Sequence, residues 1–231
     1  MHKRENLVMR TMDENYQGLQ KCVINDYPYP IEWDDSILMP IFENVYKDVL
    51  QQHARTNSPY YSNSNGGIIC LNFLDHYVIL AYRFAHALWK NGETKYAEAV
   101  YYSLRVRCSI DLFYTTEIGP YFFPTHALGT VIDSHVRYGK LFKVYDGVHI
   151  GPYNIVGLKP QEWDHPVIGD NVTLLNGAKV FGKTIIGNNV IVSTNTVIIN
   201  EEIPDNCIVS GSSPNLFFKR LKAKDSTIRN D

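Results

Sequence analysis

Residues 168–198 read IGDNVTLLNGAKVFGKTIIGNNVIVSTNTVI, and steps of six from Ile168 fall on Leu174, Val180, Ile186, Val192 and Ile198. All six are branched aliphatics. With about a quarter of positions being Ile, Leu or Val, such a run arises by chance on the order of once in several thousand frames. Stepping back from Val156 gives Ile150, Val144, Tyr138 and Ile132, so the period also holds upstream of a break across KPQEWDHP (159–166). Neither the 3.6-residue period of a helix nor plain strand alternation produces this spacing. A six-residue step with a turn each time fits a triangular coil: three short strands make one circuit of about eighteen residues, with one aliphatic per strand pointing inward. Gly and Asn between the aliphatics suit the tight corners. Backbone groups then pair with the coil above and below, as in any solenoid.

Working outward, the composition changes along the chain. Residues 1–125 hold 21 of the 29 aromatics but only 5 of the 15 glycines, whereas residues 126–231 hold the other 10 glycines and 24 Val plus Ile. This predicts a helical domain over 1–125, the repeat domain over 126–215 and a charged tail over 216–231. In the first part, residues 36–51 place Leu38, Ile41, Phe42, Val45, Tyr46, Val49 and Leu50 on one helical stripe. Pro40 places that helix's start close to itself. A second helix is expected over 72–91, stopping at Gly92, and a third from a Thr94 cap to about Ser109.

The 22 basic and 24 acidic side chains leave a formal net charge of −2, which removes the general attraction that nucleic-acid and anionic-membrane binders use. No apolar run reaches the roughly 20 residues that span a bilayer, and the first residues lack a signal-peptide core. Cys22, Cys70, Cys108 and Cys207 are scattered with no CxxC pair, so four reduced thiols in a cytoplasmic protein are expected.

Four stretches carry a family resemblance. LAYRFAHALWKNG (80–92), TEIGPYFFPTHALGTVIDSH (116–135), DHPVIGDNVTLLNGAKVFG (164–182) and VSTNTVIINEEIPDNCIVSGSSPN (192–215) resemble segments of the hexapeptide-repeat acyltransferases, most closely the serine O-acetyltransferase branch. The resemblance covers roughly residues 72–222. It implies an N-terminal α-helical domain followed by a left-handed parallel β-helix, acetyl-CoA as co-substrate, no metal, and a homotrimer or a hexamer.

Acyl transfer to a hydroxyl needs a base for the hydroxyl proton and donors for the developing oxyanion. Histidine is the natural base near neutral pH. The resemblance places the base at His135 in IDSH, beside Asp133, with His126 in THALG as the alternative. It puts His165 next to the acceptor and Glu117 where a carboxylate orients the base. It assigns Gly177, Ala178, Ser193 and Thr194 to the pantetheine groove, and Lys219 and Arg220 are basic groups for the nucleotide phosphates. The same residues also read as coil turns and a solvated tail.

The chain departs from the family pattern at the acceptor side. Asp164 stands where an Arg would face an amino acid's carboxylate, which reverses the charge. The shorter GLKPQEWDHP replaces a glycine-rich loop, and Trp163 in it suits a sugar face. These departures point to a saccharide acceptor, of the cell envelope or a capsule, with L-serine as the alternative. Two other classes remain. One is a γ-type carbonic-anhydrase-like metal enzyme, poorly matched by the spacings of 9, 14 and 16 between His126, His135, His149 and His165. The other is a non-catalytic scaffold.

Overall fold

The computed structural model describes residues 10–56, 58, 60–63, 66–153, 157, 159 and 164–221. The chain divides into two compact units between Val106 and Arg107.

The first unit carries four helices: α1 (Met12–Asp26), α2 (Asp35–Ala54), α3 (Leu74–Lys90) and α4 (Thr94–Cys108), with a short hairpin of β1 (Ser62–Asn63) and β2 (Gly66–Gly67). The three expected helices are present. α1 is an addition, and its signal was a capping box. Thr11 Oγ1 accepts the Glu14 N–H at 3.2 Å, and the Glu14 carboxylate accepts the Thr11 N–H at 2.8 Å. α2 begins earlier than Pro40 suggested: Asp34 caps it through the Ser36 N–H at 2.9 Å, and Pro40 sits inside the helix. The bond that residue 40 would give to the Ser36 carbonyl is therefore missing, a cost that burial of Leu38, Phe42, Tyr46 and Val49 offsets. α3 stops where Gly92 takes φ +86°. The aromatic surplus is the core here, with Phe42 edge-on to both Tyr16 (5.1 Å) and Phe84 (5.3 Å). No helix among the described residues is long and apolar enough to cross a membrane.

The second unit is a left-handed parallel β-helix of about five coils. Its first face stacks β3 (Asp111–Leu112), β6 (Val131–Ile132), β9 (His149–Gly151), β12 (Lys179–Phe181) and β15 (Val197–Ile199). The second stacks β4 (Glu117–Ile118), β7 (Arg137–Tyr138), β10 (Val167–Ile168), β13 (Ile185–Ile186) and β16 (Glu202–Ile203). The third stacks β5 (Phe123–Pro124), β8 (Lys143–Val144), β11 (Val172–Leu174), β14 (Val190–Val192) and the start of β17 (Cys207–Ser212). Successive coils are in register with Val167 against Ile185 and Thr173 against Ile191, the eighteen-residue circuit that the repeat implied. His149 and Lys179 are also partners, so the longer stretch between them makes one circuit plus an insertion. That insertion falls between β9 and β10, and an antiparallel bridge joins Tyr153 to Asp164 across it.

Every aliphatic counted by sixes from Ile168 to Ile198 is buried, as are Ile132, Tyr138, Val144 and Ile150; Val156 lies outside the described residues. Each such burial contributes on the order of 1.5–3 kcal/mol. The corner between the second and third faces shows why Asn recurs. Asn171, Asn189 and Asn206 have φ of 53°, 55° and 60°, and their side chains form a ladder through bonds of 2.9 and 3.0 Å.

The strands begin at Asp111, earlier than the expected boundary at 125. The opening coil puts Pro124 at the inward position that Val144 and Leu174 hold in the next coils, and it buries Phe122 and Phe123 nearby, so composition and period both hid it. At the other end, residues 215–220 are not a loose tail. They form β18 (Asn215–Arg220), antiparallel to β17 from Ser212↔Asn215 to Cys207↔Arg220.

Candidate active site

The corner between the first and second faces brings one carboxylate and two imidazoles together. Asp133 follows the buried Ile132 at the end of β6, and its N–H gives a ladder bond to the Ile150 carbonyl at 3.2 Å. Its carboxylate Oδ1 accepts the His135 N–H at 2.8 Å, which closes a tight turn. The buried Tyr138 hydroxyl donates to the Asp133 carbonyl at 3.1 Å. The residue is therefore held from three sides.

The same Oδ1 lies 3.3 Å from the His135 Nδ1 and 3.3 Å from the His165 Nδ1. His165 comes from the far side of the insertion, between the Asp164 bridge and Pro166 at the entry to β10. The two rings are 4.9 Å apart at 31°. The His135 side chain is 61% exposed, that of His165 only 14%. One carboxylate thus faces two imidazoles, one open to solvent and one sheltered. A proton on Nδ1 would face Asp133 and leave that ring's Nε2 lone pair open to a second proton, whose charge the carboxylate would balance.

The other expected site residues fall elsewhere on the prism. Glu117 is exposed on β4, one coil earlier, paired in register with Arg137; the carboxylate that meets the imidazoles is Asp133. His126 is exposed at the corner between β5 and β6, where it takes φ +50°. His149 serves the coil, with its Nε2 3.1 Å from the Gly129 carbonyl. Gly177, Ala178, Ser193 and Thr194 lie on the corner between the third and first faces, so the registers place them on a different edge from Asp133. Gly177 is required by the coil itself: it has φ +71°, and a Cβ there would meet the Asn195 side chain at 2.2 Å. The Ala178 side chain is fully buried, its N–H goes to Leu175 and its carbonyl accepts from His149. Ala178 therefore has neither side chain nor backbone free for a ligand. Ser193 is half-buried and Thr194 exposed, so both side chains are accessible. Lys219 and Arg220 are exposed on β18, opposite Ile208 and Cys207. Asp164 is exposed beside His165, whereas Trp163 lies outside the described residues.

The spacings of the four histidines concealed one grouping. Asp133, His135 and His165 bring one ligand atom each to within 4.8 Å of one another. Linear spacing missed it because neighbouring coils make residues thirty apart adjacent.

The prism, its six-residue period and this corner define a hexapeptide-repeat β-helix that resembles the serine O-acetyltransferases. No protein-family model matches the chain. A serine acetyltransferase of Mycobacterium tuberculosis is 32% identical over 135 residues, 58% of this chain and 57% of that protein. The matched stretch thus spans little more than half of the curated relative. Serine acetyltransferase isoform 3 from Entamoeba histolytica, solved in complex with cysteine, superposes with a TM-score of 0.58 at 26% identity, covering 92% of this chain and 70% of the other. A serine acetyltransferase solved in complex with CoA shares the fold at a TM-score of 0.61 and 21% identity, covering 87% of this chain and 83% of its own.

Proposed function

We propose that the chain is an acetyl-CoA-dependent O-acetyltransferase whose acceptor is L-serine. The observation that carries this reading is the Asp133 carboxylate shared by His135 and His165 at the corner of a hexapeptide β-helix. His135, the more open ring, takes the acceptor's hydroxyl proton at Nε2 as the oxygen attacks the thioester carbonyl. Asp133 holds the resulting imidazolium. The proton then passes to the CoA sulfur as the carbon–sulfur bond breaks, so acetyl is exchanged for a proton. The names of the relatives support serine over the saccharide that the sequence departures suggested.

The saccharide acceptor stays as the second reading, because Asp164 puts an exposed acid beside His165 where an amino acid's carboxylate would need a cation. Incubation with acetyl-CoA and either L-serine or a panel of sugars, with products identified by mass spectrometry, separates the two. O-acetylserine is the expected product. Turnover of a sugar alone would replace serine by the second reading, and no loss of thioester with any acceptor would remove both.

The assembly is part of the same reading. The base sits on one prism edge and the accessible Ser193 and Thr194 on another, so a groove using both sets needs two copies. A homotrimer, or a hexamer built from trimers, brings unlike edges together, with Lys219 and Arg220 available to the CoA phosphates. Light scattering after size exclusion should give three or six chains. None of the four cysteines is in a disulfide and three are buried, which supports the cytoplasm as the site of action.

A further inference from the structure

We propose that Asp133, His135 and His165 also form a binding site for a zinc-type divalent ion, and that its occupancy stops acetyl transfer by fixing the base in the wrong tautomer. The second half of this proposal rests on the acetyltransferase reading; the ion site does not.

The geometry comes close to a coordination sphere. Tetrahedral zinc with Zn–N of about 2.0–2.1 Å and Zn–O of about 2.0–2.2 Å keeps neighbouring ligand atoms roughly 3.3–3.5 Å apart. Asp133 Oδ1 lies 3.3 Å from each of the two Nδ1 atoms, and each of the three residues offers a ligand atom within 4.8 Å of the others. The remaining edge closes by rotation of the His135 ring, whose side chain is 61% exposed. Two imidazoles and one carboxylate favour a borderline ion over magnesium or calcium, which take oxygen sets. The backbone beneath is fixed by the Asp133–Ile150 ladder bond and the Tyr138 hydroxyl, so little ordering is left for binding. The exposed side of His135 leaves a further coordination position for water.

The consequence for catalysis follows from the ring chemistry. A metal on Nδ1 uses that nitrogen's lone pair, so the ring's single proton must reside on Nε2. The base needs the opposite arrangement, with the proton on Nδ1 facing Asp133 and the lone pair on Nε2. No proton leaves the ring; it changes nitrogen. One imidazole cannot bind the ion and accept the acceptor's proton at once.

The test uses the full chain, freed of metal by a chelator and titrated with zinc chloride by calorimetry without CoA. One saturable ion per chain is expected. Asp133→Asn, His135→Gln and His165→Gln should each weaken binding by about a hundredfold or more, beyond the effect of losing a supporting partner. Circular dichroism melts show whether each variant is folded, and the exposed His135→Gln keeps the test decisive if a more buried variant is not. Cobalt(II) in place of zinc should give visible d–d bands without a thiolate charge-transfer band, which separates this site from the cysteines. No saturable binding, unchanged binding in folded variants or a thiolate band would overturn the site. In parallel, thioester loss is followed with acetyl-CoA and L-serine. The rate should fall in proportion to zinc occupancy, and full activity at saturating zinc would overturn the tautomer argument. Zinc binding in a chain that acetylates no hydroxyl would remove the acetyltransferase reading and leave the ion site standing.

Discussion

Asp133 does three things with one side chain: its Oδ1 closes the turn to His135 and faces both imidazoles. A single oxygen at 3.3 Å from two ring nitrogens gives neither a short bond, so in the proposed reaction its charge would favour whichever ring takes the proton. Loss of His135 should therefore be felt in turnover. His135→Ala is expected to lower kcat by about 10²–10⁴-fold. His126→Ala should keep kcat within about tenfold of the unaltered chain, because His126 sits at another corner of the coil. Steady-state kinetics with acetyl-CoA check both, and the reverse ranking would move the base to His126. Each of Asp133, His135 and His165 was legible in the sequence as a candidate. Their contact was not, since it joins two coils across an insertion whose length hides the register. Glu117 was placed as the orienting carboxylate because motif order ranks residues along the chain, and the coil had put Asp133 nearer.

At the scale of the elements, the coil tolerates little substitution where backbones of successive circuits meet. A Cβ on Gly169 would come within 2.7 Å of the Gly187 carbonyl, and one on Gly139 within 2.5 Å of the Gly169 carbonyl. Neither atom can swing away as a side chain would. Gly169→Ala is expected to destabilise the β-helix by about 1–3 kcal/mol, read as a lower midpoint in urea unfolding. The coils themselves were readable by sixes because every sixth position from Ile168 to Ile198 is a buried branched aliphatic. The first coil was not, because Pro124 takes the place of an inward aliphatic and the adjoining Phe122 and Phe123 look like the aromatic helical part. α1 escapes a periodicity reading for a different reason: its stabilisation lies in a cap at Thr11 and Glu14 and in four buried side chains, one of them Asn15, not in a long apolar stripe. β18 was read as a fraying tail because its sequence NLFFKR carries exposed residues on both faces, and only its pairing with β17 makes it a strand.

For the molecule as a whole, the first unit holds an acid-sensitive feature of its own. His53 and His76 are both buried, with ring centres 5.3 Å apart and Tyr61 against both. His53 Nδ1 lies 2.9 Å from the Ile68 carbonyl, and His76 Nδ1 accepts the Cys70 N–H at 3.0 Å. The nearest carboxylate in this cluster, Asp75, accepts the Tyr61 hydroxyl at 3.0 Å. Burial pushes His53 down to about 4; burial, and then the neighbouring ring, push His76 down to about 4. Unfolded, both would titrate near 6.5, so the unfolded chain binds more protons between these values. Stability is then fully present above about pH 6.5 and falls as pH drops toward 4, by on the order of 3 kcal/mol for the first ring to titrate. Thermal melts across this range should show the loss, and a flat melting temperature would contradict it.

A stack of identical coils contains no instruction to stop. Its last circuit would present a row of unpaired amides, ready to accept the first circuit of another molecule. The antiparallel run of Asn215–Arg220 along Cys207–Ser212 occupies the third face of that row with a strand of opposite direction, which no parallel coil can extend. The turn of residues 213 and 214 therefore acts as a terminator of growth as well as a connection. Removing everything after Ser212 should leave the coils folded and able to join end to end. Sedimentation velocity would then show polymers that lengthen with concentration, where the full chain is expected to keep one size.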